Sequence, residues 1–119
     1  MGKRICAIDD DRIILDALET ILEDMGHEVY AYNNSLEGEK AAIYNEFDLI
    51  LIDLRMPQKN GAEVTRNIIE SRPAARILVI TGHPSDPLGQ KALDYGAVGL
   101  IKKPFEMGKI LDILSGKSQ

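Results

Sequence analysis

Leu49-Ile50-Leu51-Ile52-Asp53 decides the fold: four apolar residues in a row stop on a carboxylate. An apolar run of strand length, with no polar face, is a strand covered on both sides, as in a parallel sheet under helices. The same pattern recurs on either side. Arg4-Ile5-Cys6-Ala7-Ile8 stops on Asp9, and Ile77-Leu78-Val79-Ile80 stops on Thr81. Three central strands are therefore expected, each with a polar residue at its carboxyl end.

The remaining elements fall between them. Ile14, Ala17, Leu18, Ile21 and Met25 recur at helical spacing, with Gly26 as the stop. Val29 to Tyr32 is a second strand, and a weaker helix runs from Ser35 to Tyr44, capped by Asn34 or Ser35. A helix after Gly61 carries Val64 and Ile68 and must end near Arg72, because Pro73 follows. Asp86-Pro87 reads as the cap and first residue of a short helix closed by Gly96. Val98 to Lys102 is a fifth strand, and Met107, Ile110, Leu111 and Leu114 form the stripe of a last helix.

Five strand–helix units imply an α/β fold with a five-stranded parallel sheet. The second and fifth strands are less uniformly apolar and suit the edges. The order 2-1-3-4-5, with helices on both faces, satisfies this with right-handed crossovers, and is partly taken from known doubly wound sheets.

Length and composition bound the rest. A chain of 119 residues fits one domain, 1–119, with no separate effector domain. No apolar stretch approaches the ~20 residues of a membrane span, and the start is not a signal peptide. The one cysteine, Cys6, reads as an inert core residue in a reducing, cytoplasmic setting. A net charge of −5 argues against direct binding to nucleic acid or acidic membranes.

In such sheets ligands bind beyond the carboxyl ends of the central strands. Asp9, Asp10, Asp53 and Thr81 lie there, and Lys103 follows the fifth strand. Three carboxylates beside one lysine repel each other unless a cation sits among them, and oxygen-only ligands favour a hard metal such as Mg²⁺. One carboxylate is then free to act as a nucleophile toward phosphorus. The bland readings differ in weight. Asp11 reads as an N-cap rather than a ligand. His27 reads as a solvent-facing turn residue, and His83 equally as loop filler or site rim. Most other charges read as solvated helix faces.

Ile-Asp-Asp-Asp at 8–11, Leu-Ile-Asp-Leu-Arg-Met-Pro at 51–57 with Asn60-Gly61, Ile-Thr-Gly-His at 80–83 and Lys103-Pro104-Phe105 together resemble the receiver domains of bacterial two-component systems. Each motif alone is weak, but their joint occurrence in order, each at a strand end, is specific. The resemblance implies a flavodoxin-like fold and a phospho-acceptor switch. Asp53 matches the acceptor, Asp10 the direct metal ligand, Asp9 the acid that binds metal largely through water, and the Arg55 carbonyl the backbone ligand. Thr81 matches the hydroxyl that binds a phosphoryl oxygen, and Lys103 the residue that pairs with it. The implied metal is Mg²⁺, with Mn²⁺ as substitute. The implied partner is a sensor histidine kinase or a histidine phosphotransfer protein. The family also implies a cis peptide at Lys103-Pro104 and slow self-catalysed loss of phosphate. It admits a phosphorylation-dependent dimer through the fourth helix, fifth strand and fifth helix.

The sequence departs from the family at one switch position. Leu100 stands where many receivers carry Tyr or Phe, so switching is expected through Thr81 and Leu100 without an aromatic flip. Arg55 and His83 stand at rim positions that tune phosphate loss, and are expected to flank the approach of water. Three alternatives fit less well. A haloacid-dehalogenase-type hydrolase needs a carboxylate where Arg55 stands. A flavodoxin-like mononucleotide binder needs a phosphate-cradling loop where Asp9-Asp10-Asp11 stands. A degenerate docking receiver would not carry the complete residue set.

Overall fold

The computed structural model describes residues 2–103 and 107–116, with the side chain of Met107 excepted. Ten elements alternate strictly: β1 (Arg4–Ile8), α1 (Arg12–Asp24), β2 (Glu28–Tyr32), α2 (Ser35–Tyr44), β3 (Leu49–Asp53), α3 (Gly61–Ser71), β4 (Ile77–Thr81), α4 (Pro87–Asp94), β5 (Gly99–Lys102) and α5 (Met107–Leu114). The strands form one parallel sheet in the order β2-β1-β3-β4-β5. The expected architecture, with β2 and β5 at the edges, is the one found.

Side-chain alternation along the central strands divides the core in two. Ile5, Ala7, Leu49, Leu51, Leu78 and Ile80 pack with Leu15, Leu18 and Leu22 of α1 and Ile110 and Ile113 of α5. Cys6, Ile8, Ile50, Ile52, Ile77 and Val79 face the other way, onto Ala42 of α2, Val64 and Ile68 of α3 and Ala92 of α4. Every residue of β3 and β4 is buried, as their unbroken apolar runs require.

Helices α1 to α4 each start on a cap that the sequence supplies. Asp11 accepts from the Ile13 N–H, Asn34 from those of Leu36 and Glu37, and Asp86 from that of Leu88. Asn60 and Glu63 form a reciprocal capping box at the start of α3. Gly26 ends the α1 turn at φ +92°, a left-handed conformation that favours glycine.

Three sequence expectations need correction. The buried stripe of α1 is Leu15, Leu18 and Leu22, whereas Ile21 and Met25 are exposed. Residues 13–15, 17, 18, 21 and 22 are all apolar, so the periodicity fixes a helix but not its rotation about its own axis. His27 is half-buried, and its Nδ1 accepts from the Lys3 N–H at 3.0 Å. Glu39 is buried rather than solvated. The boundaries of β2, α4 and β5 move by one residue.

Candidate functional site

Strand alternation brings the key charges to one point. Asp9 continues the Ile5, Ala7 series, Asp53 continues Leu49, Leu51, and Lys103 continues Ile101. All three belong to the α1/α5 side of the sheet. The Lys103 ammonium accordingly lies 3.0 Å from Oδ1 of Asp53 and 3.9 Å from Oδ2 of Asp9. Asp10 joins from the exposed start of the β1–α1 loop. Carboxylate oxygens of Asp9, Asp10 and Asp53 all lie within 4.8 Å of one another.

Two of the three carboxylates are poorly hydrated. Asp9 is 1% exposed and Asp53 4%. Burial pushes Asp9 from the ordinary aspartate value up to about 6, aided by the charges of Asp53 and Asp10 and opposed by the Asp11 N–H and Lys103. Burial also raises Asp53, against the hydrogen bond and charge of Lys103. For Lys103 itself burial acts downward, but the hydrogen bond and charge of Asp53, then the charge of Asp9, outweigh it and hold the ammonium above its usual range.

One atom tests whether a cation fits. Asp9 Oδ1 accepts from the Asp11 N–H at 2.9 Å, while Oδ2 is buried with no hydrogen-bond partner among the described residues. A buried carboxylate oxygen with no hydrogen bond is costly, and the Lys103 ammonium at 3.9 Å is too far to supply one. Two further carboxylates within reach make a hard-cation donor set, so the residues fit the metal that the motifs imply.

The loop after Asp53 is fixed along its length. The Leu54 N–H donates to the Ile80 carbonyl at 2.9 Å, and the Gly61 N–H to that of Leu54 at 2.8 Å. Gly61 sits so close that a Cβ there would stand 2.5 Å from the Asp53 carbonyl oxygen. The Ser35 hydroxyl donates to the Pro57 carbonyl, and Lys59 pairs with Glu39 of α2 at 2.7 Å. Gln58 takes the left-handed conformation at φ 71°.

Not every expected site residue joins the cluster. The Thr81 hydroxyl belongs to its own loop, donating to the His83 carbonyl and accepting from the His83 N–H, each at 3.0 Å. Leu100 is half-buried on the α2–α4 side, beside Gly89 of α4. The Arg55 guanidinium does not flank Asp53 freely; it is taken up by Asp86. Pro104, and with it the cis peptide expected at Lys103-Pro104, lies outside the described residues. Sequence reasoning assigned Asp86 only as a cap and passed over Glu39 and Lys59. No local signal joins Arg55 to a residue 31 positions away.

The same fold occurs in known proteins. The family model described as response regulator receiver domain matches residues 5–115. The chemotaxis protein CheY of Halobacterium salinarum is 31% identical over 97% of this chain and 96% of its own length. A CheY-like receiver domain protein from Methanospirillum hungatei superposes with a TM-score of 0.89 at 31% identity, over 98% of this chain and 93% of that one. A response regulator from Burkholderia pseudomallei, solved with a phosphorylated aspartic acid and a calcium ion, matches at TM-score 0.85 and 31% identity, over 95% of this chain and 66% of that one. The chain spans about half the length of other curated relatives it matches, 47% of one and 53% of another. No helix among the described residues is long and apolar enough to cross a membrane. With the family model covering nearly the whole chain, and an acidic cluster set at the carboxyl ends of its central strands, this protein belongs to the response regulator receiver domains, the signalling switches of two-component systems.

Proposed function

We propose that Asp53 is the phospho-acceptor, taking its phosphoryl group from a phosphohistidine on a sensor histidine kinase or a histidine phosphotransfer protein. The observation that carries this is the buried Asp53 carboxylate, at the end of a central strand, beside the Lys103 ammonium at 3.0 Å. The phosphorylated aspartic acid of the Burkholderia relative supports it. An Asp53 oxygen bonds to phosphorus, the P–N bond of the donor breaks, and the imidazole leaves with a proton.

Asp9, Asp10, Asp53 and the Arg55 carbonyl would hold Mg²⁺ or Mn²⁺, which supplies positive charge against the transferring phosphoryl oxygens. Lys103 adds a fixed ammonium on the same side. The Thr81 hydroxyl is the donor nearest in sequence logic for a phosphoryl oxygen, once it leaves His83. Closing these groups around Asp53 is positioning and charge neutralisation, the main sources of rate in phosphoryl transfer. The domain thus catalyses its own phosphorylation and its slow reversal, and turns over no other substrate. We place it in the cytoplasm, with no direct binding of nucleic acid by this domain and with a phosphorylation-dependent dimer across α4, β5 and α5. Thr81 and Leu100 carry the switch.

Treatment with a small acyl phosphate tests the reading by intact mass. One phosphoryl group should appear with Mg²⁺, none with chelator, and none on Asp53→Asn. Equal labelling of Asp53→Asn would remove Asp53 from the role.

A further inference from the structure

Two residues past Asp53, the Arg55 side chain crosses to the β4–α4 loop. Its Nε donates to Oδ2 of Asp86 and its Nη2 to Oδ1, both at 2.8 Å. This two-pronged pair has a planar geometry that a lysine cannot reproduce. Asp86 is also the N-cap of α4, since Oδ1 accepts from the Leu88 N–H at 3.0 Å. The pair therefore ties the loop that follows the acceptor to the first turn of α4.

The same turn is tied to Thr81. The Asp86 N–H donates to the His83 carbonyl at 2.9 Å, and that carbonyl also accepts from the Thr81 hydroxyl at 3.0 Å. A hydroxyl carries one proton. A phosphoryl oxygen that claims it takes it from His83. The turn from His83 to Asp86 stays bound to the Thr81 oxygen through the His83 N–H and is drawn along with it, while Arg55 still holds its far end. The displaced turn pulls against the Arg55–Asp86 pair, and does so in one state only.

We infer that the Arg55–Asp86 pair is a latch: it holds the β4–α4 turn and the start of α4 in the phosphoryl-free arrangement, and opens when Asp53 is phosphorylated. The inference rests on the reading of Asp53 as acceptor and adds its regulation. A contact present in one state biases the equilibrium toward that state, and by linkage it opposes the ligand that selects the other. An exposed pair of this kind should oppose it by about two- to five-fold.

Beryllofluoride, a mimic of the phosphoryl group, is the probe, titrated onto the full chain with Mg²⁺. Asp86→Asn keeps a capping oxygen but removes the charge, and Arg55→Gln removes the other partner. Each should bind beryllofluoride about two- to five-fold more tightly than the unaltered protein, and the double variant no more tightly than either single one. Thermal melts should show the coupling between the two positions without beryllofluoride and not with it. A merely structural pair would show equal coupling in both melts. Single variants that bind with unchanged or weaker affinity, or a double variant that sums the two gains, would overturn the latch. If Asp86→Asn fails to fold, Arg55→Gln decides alone by the same affinity criterion. Failure of the unaltered protein to bind beryllofluoride would remove the acceptor reading and the latch together. Binding by the unaltered protein with unaltered affinity in the variants would remove the latch alone.

Discussion

The ammonium of Lys59 lies 2.7 Å from Oε1 of Glu39, and Asn67 of α3 donates to the other oxygen of the same carboxylate at 2.8 Å. One buried glutamate thereby fastens the loop that follows Asp53 to both α2 and α3. Glu39→Ala leaves the Asn67 amide without its partner and frees the loop. It should cost about 1 kcal/mol of stability, the net worth of a typical hydrogen bond, because Asn67 is only half-buried and water can reach it. Urea denaturation measures this, and a loss below about 0.5 kcal/mol would mean that the contact is replaced by water.

The metal-free protein should lose stability as pH rises through the titration of Asp9. Its carboxyl is raised by burial from 3.8 to about 6. Below the unfolded value it is neutral in both states. Between the two values the folded protein binds a proton that the unfolded chain does not, so stability falls as pH increases through about 6. A shift of this size contributes on the order of 2 kcal/mol. Other carboxylates titrate over the same range, so the measurement is the difference between the protein and Asp9→Asn, in chelator, from about pH 4 to pH 7. A difference that does not change with pH would contradict the desolvation account. Mg²⁺ at neutral pH should stabilise the unaltered protein more than Asp9→Asn.

Lys103→Gln should slow acyl-phosphate labelling of Asp53 by about 10²-fold, the usual effect of deleting one preorganised charge-stabilising donor. The fold should survive, because the side chain reaches the cluster from the end of β5 and is itself partly exposed. Labelling at an unaltered rate, with an unaltered melting temperature, would show that the ammonium serves only to neutralise the resting carboxylates.

The strands and the acidic cluster were legible because both depend on short-range pattern. An apolar run such as Leu49–Ile52 specifies a covered strand, and parallel topology then sends the residue after each run to the same end of the sheet. What stayed illegible depends on long-range geometry. The rotation of α1 was ambiguous because its apolar residues cover most of its circumference, and only the packing of Leu15, Leu18 and Leu22 against β1 and β3 resolves it. Glu39 lies on a helix with little amphipathic contrast, so nothing in its neighbours marks it as buried. The Arg55–Asp86 pair joins two loops that are adjacent only once β3 and β4 are paired.

Leu100 and Gly89 supply a prediction about switching. A methyl group at position 89 would stand 3.1 Å from Cδ1 of Leu100, close enough to displace the flexible end of that side chain. Gly89→Ala gains up to about 1 kcal/mol of helix propensity and loses some of it to this crowding. Net stability should therefore change by less than about 1 kcal/mol. If Leu100 takes part in the switch, the ratio of beryllofluoride affinities between Gly89→Ala and the unaltered protein should depart from one by about two-fold or more. An unaltered affinity in a stable variant would remove Leu100 from the switch.

Gly61 gives the close approach of α3 to β3 a meaning for how such a site varies. At this position the helix start and the acceptor strand touch backbone to backbone, with no side chain between them to absorb a change. Side-chain contacts around the pocket can drift one at a time, since a neighbour can repack. A contact between two main chains has no such slack. Any larger residue at 61 must push the Asp53 carbonyl or Leu54 aside, and the acceptor moves with them. The height of Asp53 above the sheet is thus set by an absence of atoms outside the charged cluster. A designer who wished to re-aim the acceptor without altering a single charged group would begin at Gly61.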